Sequence, residues 1–453
     1  MQISFFGATQ TVTGSRYLVT TRSRHRVLVD CGLFQGYKHL RLKNWSRPPF
    51  EPRDIDAVLL THAHLDHSGY LPLLVKNGFK GPIYATPGTI ELCHILLPDS
   101  GHLQEEQAQF ANRHGFSKHS PALPLYTEAD AHECLKRFRS IDFDEAISPV
   151  PGMSSRFHRA GHLLGAASIR IEADGAFILF SGDVGRPNDP LMCAPSPPPA
   201  ADHVVIESTY GDRSHGDTQP QAELGEAIRR AYSRNGVVLI PTFAVGRAQL
   251  LLLLIARLKA SGQIPDIPVY LDSPMAIDAT ELMRRFAGEQ RVTASDLEAM
   301  HRLARLVRTA DESKALDRLR EPVIILAASG MATGGRVVHH LKVFATDARN
   351  VILFAGFQAG GTRGGSMVAG AQNIRIHGKT FPIRAEVTQL SAASAHADAT
   401  ELIEWLRRMP SAPRHVYVTH GEPSASDALR QRIQTELGWN ASVPEYRDEV
   451  ELT

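Results

Sequence analysis

The stretch His62-Ala63-His64-Leu65-Asp66-His67 sets three imidazoles and one carboxylate within six residues. Imidazole nitrogen and carboxylate oxygen are donors that zinc accepts without any thiolate. The run follows Asp56–Leu60, an apolar stretch read as a strand, so it occupies a strand-end loop. Such a loop sets His62 and His64 on one side and Asp66 and His67 on the other.

Partners for these donors occur further along. His162 lies in Ala160-Gly161-His162-Leu163-Leu164-Gly165, and Asp183 in Ser181-Gly182-Asp183-Val184-Gly185. His420 lies in Thr419-His420-Gly421-Glu422. Each sits at a strand end or in a glycine-flanked turn, where a side chain can project into a shared cleft. Together they make two shells. One ion takes His62, His64 and His162, and the other takes Asp66, His67 and His420. Asp183 bridges them, and a shared water or hydroxide completes both. Two ions about 3.5–4 Å apart acidify that solvent and clamp the attacking and leaving oxygens of a phosphoryl centre. Asp30, in Val29-Asp30-Cys31-Gly32, also ends a strand, placed to bond a ligand histidine and fix its orientation.

The rest of the composition bounds the answer. The chain has 453 residues, 43% apolar and 21% charged, the balance of a soluble globular protein. At about 100–200 residues per domain it holds more than one domain. Its longest apolar run, Leu250–Ala256, falls far short of the roughly 20 residues that cross a bilayer. The start lacks a charged segment followed by an apolar one, which predicts a cytoplasmic protein with no membrane partner. The net charge is +1, less basic than a dedicated duplex-DNA binder. Of the 49 basic side chains only 10 are Lys, and Arg suits bidentate contact with phosphate. The four cysteines, Cys31, Cys93, Cys134 and Cys193, form neither a disulfide framework nor a zinc knuckle.

The elements that must position these residues follow two patterns. Short strands joined by glycine-rich turns fill the N-terminal part: Ile3–Phe6, Arg16–Thr20, Arg26–Val29, Ser168–Glu172, Ala176–Phe180 and Val204–Ile206. A mainly helical segment, 88–140, interrupts them. From about 210 helices and apolar strands alternate: Gln221–Arg234, Val237–Ile240, Arg247–Ser261, Val269–Leu271, Val323–Leu326 and Val351–Phe354. Residues 278–318 read as helical. This alternation predicts a parallel sheet wound on both faces. After about 370 strands return, with a helix at Glu401–Arg408 and a strand at His415–Val418.

Asp30, the His62–His67 run, His162 and Asp183 resemble the first four motifs of the metallo-β-lactamase superfamily. The opening Ile3–Ala8 and Val12–Ser15 are similar to its first hairpin. The resemblance implies a four-layer αββα sandwich with a dinuclear site at its edge. Glu207-Ser208-Thr209-Tyr210-Gly211-Asp212, Ser394-Ala395-His396-Ala397-Asp398 and His420 resemble motifs A, B and C of the β-CASP group. Pro241–Arg247, Asp272–Met275, Ala328–Met331, Gly334–Arg336 and Phe357–Gly364 match that group's pattern as well. The implied organisation is 1–208 for the first part of the sandwich, 209–370 for an inserted parallel-sheet domain, and 371–453 for the last part.

The group processes nucleic acid, and the resemblance implies a zinc-dependent ribonuclease. It would cut single-stranded RNA to 5′-phosphate and 3′-hydroxyl ends with two Zn2+ per chain, or Mn2+ in their place. Asp66 and Asp183 would hold and polarise the attacking solvent. His396 would protonate the leaving 3′-oxygen or bind phosphate, and Glu207 would orient a ligand or the hinge. Backbone N–H groups of glycine-rich turns are ready anion sites, so Ser329, Gly330 and Gly360, with Arg247, Arg336 and Arg363, are expected to meet phosphates. The alternatives are DNA or a small ester as substrate, or a non-catalytic scaffold; the filled ligand positions weigh against the scaffold. Ser391-Ala392-Ala393-Ser394 departs from the group's Ser-Gly-Phe-Ser, which removes an aromatic that could stack on a base. With no KH module before the first hairpin and no RNase J-type domain behind His420, recognition is expected from the two domains or from a homodimer partner. The histidines between 88 and 140, together with His339 and His340, are expected to be solvated or packed.

Overall fold

The computed structural model of the chain describes every residue except Phe116, 217–219, Phe357, 391–393 and Thr453. Phe357 and the first three residues of the Ser391-Ala392-Ala393-Ser394 departure therefore lie outside the described residues. The chain divides into two units. The first comprises Met1–Asp189, Cys193–Ser214 and His396–Thr453, and the second Pro190–Met192 and His215–Ala395.

Two seven-stranded sheets build the first unit. One runs in the order Glu449–Glu451, Gln2–Phe5, Tyr17–Thr20, Arg26–Val29, Ala57–Leu59, Ile83–Ala85 and Phe138–Ser140. The other runs Ala441–Ser442, His415–Val418, His203–Ile206, Ala176–Phe180, Ala167–Ala173, Met153–Arg159 and Ala146–Ile147. Side chains alternate across each sheet, as a pleated strand requires. In the second sheet Ile178, Phe180, Val205 and Tyr417 join Ile3, Phe5, Val27, Val29 and Leu59 in one buried core. Their neighbours Leu179, Val204, Ile206, Val416 and Val418 face the other way, onto Leu402, Ile403, Leu406 and Leu429 of the helices Ala399–Arg407 and Pro423–Arg432. Strands covered on both faces explain why these runs are almost wholly apolar. The helices Leu71–Lys76, Pro87–His114 and Glu128–Leu135 complete the helix–sheet–sheet–helix sandwich.

In the second unit all pairings of the six-stranded sheet are parallel, in the order Ala304–Leu306, Val269–Asp272, Ile324–Ala327, Val238–Pro241, Val351–Ala355 and Glu386–Leu390. Ile240, Leu271, Leu326 and Leu353 pack on the helices Pro220–Ser233 and Arg247–Ala260. Leu239, Ile325, Ile352 and Phe354 pack on Val337–Phe344 and Arg363–Val368. This is the doubly wound arrangement that the alternation predicts.

Three local expectations change. Ala304–Leu306, inside the stretch read as helical, is an edge strand paired with Val269–Leu271. Met153–Arg159 is a strand absent from the sequence reading; its Ser, Arg and His content hides the period. The strand Glu386–Leu390 extends the second unit's sheet beside Val351–Ala355, so this unit runs on to Ala395 rather than ending at 370. A hydrophobic pattern marks a strand but not the sheet it joins.

Candidate metal centre

Apart from His162, which follows the antiparallel strand Met153–Arg159, the donors project from the C-terminal ends of strands with a parallel neighbour in the two sheets of the first unit. Asp30 follows Arg26–Val29, and the His62–His67 run follows Ala57–Leu59. Asp183 follows Ala176–Phe180, Glu207 follows His203–Ile206, and His420 follows His415–Val418. Loops beyond strand ends are where a sheet leaves side chains free to converge. Close backbone approach holds the loops together. A Cβ on Gly32 would lie 1.5 Å from the Asp66 carbonyl oxygen, and one on Gly185 would lie 2.1 Å from that of Gly161. Only glycine fits at either point.

Four donors converge on one spot. His64 Nδ1 lies 3.2 Å from His62 Nε2 and 3.2 Å from His162 Nε2. Asp183 Oδ2 lies 3.4 Å from His62 Nε2 and 3.6 Å from His162 Nε2. Donors about 2.0–2.2 Å from a tetrahedral zinc stand roughly 3.3–3.6 Å apart, so these spacings match a single ion. A second group lies beside the first. His67 Nε2 is 3.1 Å from His420 Nε2 and 3.3 Å from Asp183 Oδ1, and His420 Nε2 is 3.4 Å from Asp66 Oδ2. Asp183 thus reaches both groups with different oxygens, and among the described residues its buried Oδ1 accepts no hydrogen bond.

The far side of each ring is held. Asp30 Oδ2 accepts from His67 Nδ1 at 2.7 Å. Asp30 also takes the Thr61 N–H and hydroxyl, both at 2.8 Å. With its proton committed there, the Thr61 hydroxyl accepts from His62 Nδ1 at 3.0 Å. The Thr209 hydroxyl sits 3.1 Å from His420 Nδ1. Each of these bonds turns an Nε2 lone pair toward the donor group. In the sequence the signal for these two hydroxyls is position alone: Thr61 precedes His62, and Thr209 stands two residues after Glu207.

Electrostatics favour cation binding. Burial, aided by repulsion from His67, pushes His62 down to about 3. Burial pushes His64 to about 4, and it pushes His162 well below the ordinary imidazole value. All three rings are neutral, as ligands must be. Burial would also lower His67, but Asp183 and Asp30 outweigh it and raise His67 well above the ordinary value. Burial would raise Asp66 and Asp183, yet the surrounding histidines hold both carboxylates below the usual range. A buried group of carboxylates and imidazoles therefore stands charged and takes positive charge from protons or an ion. The residues fit a pair of divalent ions by donor type, spacing and charge.

His396 and Glu207 lie next to this group. His396 Nδ1 is 3.1 Å from Glu207 Oε2 and 3.8 Å from Asp183 Oδ2. Glu207 is fixed by the N–H groups of Val184 at 2.7 Å and Thr209 at 3.3 Å. Burial lowers His396, but Glu207 and Asp183 outweigh it, so its pKa is raised.

The residues expected at phosphates all belong to the second unit. Arg336 donates to Asp272 Oδ1 at 2.6 Å and to the carbonyls of Val307 at 2.9 Å and Arg308 at 2.6 Å. Arg363 bonds the carbonyls of Ala332 and Arg375. Both guanidinium groups are thereby committed to their own unit. Arg247 opens the helix Arg247–Ala260 and lies against Gly356. Ser329 bonds within its loop to Gly334, and the Gly330 carbonyl accepts from Gln358. Gly360 lies in the turn before the helix Arg363–Val368. His340, expected to be packed, is buried between Asp272 and Asp317, 2.7 Å from each.

Three family descriptions match the chain: the metallo-beta-lactamase superfamily over residues 11–223, the Beta-Casp domain over 248–367, and the Zn-dependent metallo-hydrolase RNA specificity domain over 380–444. A Thermus thermophilus protein named Ribonuclease TTHA0252 is 38% identical over 95% of both chains. An RNase J-like protein of Methanocaldococcus jannaschii is 31% identical over 98% of this chain and 97% of its own. The same organism's transcription termination factor FttA is 33% identical over 94% of this chain and 67% of its own. A solved Enterococcus faecalis protein of unknown function shares the fold, with a TM-score of 0.54 and 14% identity over 99% of both chains. The chain is a metal-dependent hydrolase of the metallo-β-lactamase superfamily and belongs to its β-CASP group.

Proposed function

We propose that this chain is a zinc-dependent ribonuclease that hydrolyses phosphodiester bonds of single-stranded RNA, leaving 5′-phosphate and 3′-hydroxyl ends. The observation that carries the reading is the pair of donor groups joined through Asp183, with spacings that suit two adjacent ions. The relatives named ribonuclease and RNase J-like support RNA as the substrate. His62, His64 and His162 would hold one ion, and Asp66, His67 and His420 the other, with Asp183 shared. When bound, two divalent ions supply an acidified water and neutralise charge at the phosphoryl oxygens.

The chain's own residues do the rest. Asp30, Thr61 and Thr209 keep the ligand rings in their working tautomers. Glu207 accepts the Nδ1 proton of His396 and favours the charged ring, which leaves Nε2 to protonate the departing 3′-oxygen. Ser329, Gly330, Gly360 and Arg247 are the proposed phosphate contacts of the second unit. Arg336 and Arg363 act there by holding the loops in place.

The test is a cleavage assay with end-labelled single-stranded RNA beside DNA of the same sequence, with and without chelator, and with Asp66→Ala as control. Chelator-sensitive RNA cuts that vanish in the variant are the expected result. Uncut RNA in the presence of two bound zinc ions per chain would overturn the substrate assignment.

A further inference from the structure

A surface on the segment that continues from the Asp30 loop remains without a role. Residues 36–47 carry Lys38, Arg41, Lys43 and Arg47 and no acid. In the same segment Tyr37, Leu42 and Trp45 are 46%, 53% and 59% exposed. Single exposed apolar side chains are ordinary, but three within nine residues and among four cations are not. Among the described residues neither Lys38 nor Arg41 meets a carboxylate, while Arg47 pairs with Glu51. Lys43 lies over the rings of Tyr446 at 4.1 Å and Phe34 at 5.1 Å, and Arg447 lies over Tyr446 at 5.5 Å. Burial, then repulsion from Arg16 and Arg447, lowers the Lys43 pKa, and no carboxylate opposes the shift. The patch is therefore electropositive as well as aromatic.

It is also firmly tied to the centre. Asn44 is buried; it accepts from the Phe34 N–H at 2.9 Å and donates to the Phe34 carbonyl at 2.7 Å. Leu40 packs inward. The loop that begins at Asp30 donates from Cys31 N to the His67 carbonyl at 2.7 Å and from Leu33 N to the Leu65 carbonyl at 2.8 Å. Backbone bonds thus link the patch to the His62–His67 run.

We propose that Tyr37, Lys38, Arg41 and Trp45 form a track for single-stranded RNA outside the cutting site. Bases stack on Tyr37 and Trp45, and Lys38 and Arg41 meet phosphates of the strand several nucleotides away from the bond that is cut. Charge complementarity selects a polyanion. A second copy pairing through this patch would set Lys38, Arg41 and Lys43 against the same three cations, which disfavours self-association. Flat aromatic rings beside point cations are the pairing that holds a single strand with little regard to sequence. The inference rests on the ribonuclease reading for the identity of the polymer.

The experiment uses the full chain with Tyr37→Ala/Trp45→Ala, Lys38→Ala/Arg41→Ala, and Lys136→Ala as a control elsewhere on the first unit. Binding of oligouridylate is measured in the Asp66→Ala background, where the strand stays intact. Loss of stacking is expected to weaken binding of a strand of about 20 nucleotides at least tenfold, with the control unchanged. Loss of the two cations is expected to flatten the log–log salt slope by about 1.4. With Asp66 intact, the same changes raise KM for long strands and leave kcat, and the cleavage of a tetranucleotide, unaltered. Binding and salt slope equal to the control's would overturn the track. So would variants whose sole change is a shift in sedimentation, which would make the patch a contact between copies. If the unaltered chain binds oligouridylate through Trp45 yet never cuts RNA, the ribonuclease reading falls and the track stands. Cleavage with variant affinities unchanged is the reverse.

Discussion

Asp183 meets His62 and His162 through one oxygen and His67 through the other, which makes it the hinge of both donor groups. The residues behind the ligands carry as much of the design. Asp30 touches His67 and Thr61, and so orients two ligand rings from one carboxylate. Asp30→Asn keeps the size and loses the charge that holds His67 Nδ1–H. Zinc affinity, measured by competition with a chelating dye, is expected to fall about 10–100-fold. In the proposed mechanism Glu207 governs the acid. The charged form of His396 persists until pH rises through its raised pKa, so the hydrolysis rate is expected to decline on the alkaline side of that value. Glu207→Gln removes the carboxylate that raises it. A pH–rate profile is then expected to show the alkaline decline at lower pH, with zinc content unchanged.

At the scale of elements, positions depend on strand ends and caps. Asp398 caps the helix Ala399–Arg407, accepting from the N–H groups of Thr400 and Glu401 at 2.9 Å each, and Glu401 bonds back to the Asp398 N–H. This capping box stands two residues beyond His396, so it fixes the chain that presents the imidazole. Asp398→Ala is expected to cost about 1 kcal/mol of stability in a urea titration. The variant is also expected to lose kcat more than it gains KM, because the proposed role of the displaced His396 lies in the chemical step. Gly185 and His396 share a single antiparallel bridge, beside which the Ala397 N–H donates to the Val184 carbonyl at 2.7 Å.

At the scale of the molecule, each unit has its own core and its own pH-sensitive groups. Asp99 lies in the long helix Pro87–His114 behind the first sheet. Burial raises its carboxyl to about 6, despite a small opposing effect of His102. The folded chain therefore holds a proton that the unfolded chain releases near pH 4. Stability is fully present below that pH and is lost as pH rises through about 6. Asp99→Asn removes this dependence. Thermal melts are expected to place the variant above the parent at pH 7 and to bring the two together toward pH 4. Among the described residues no helix is long and apolar enough to cross a membrane.

The sequence by itself determined the donors, because metal chemistry is local in its demands. Three histidines and an aspartate in six residues, with His162, Asp183 and His420 at strand ends, already named every side chain that the structure gathers at the centre. It also determined the parallel character of the second unit, since buried strands between helices leave long apolar runs. Tertiary structure alone decided which donors face one another, because Asp66 and His420 stand 354 residues apart in the chain. It decided that Thr61 and Thr209 fix the rings, a role that a hydroxyl in a sequence does not announce. It bound Arg336 and Arg363 to carbonyls of their own unit, since an arginine's partners depend on which backbone oxygens the fold leaves within reach. It also assigned Glu386–Leu390 to the second unit's sheet, because hydrophobic period identifies a strand while pairing depends on the neighbour that folding supplies.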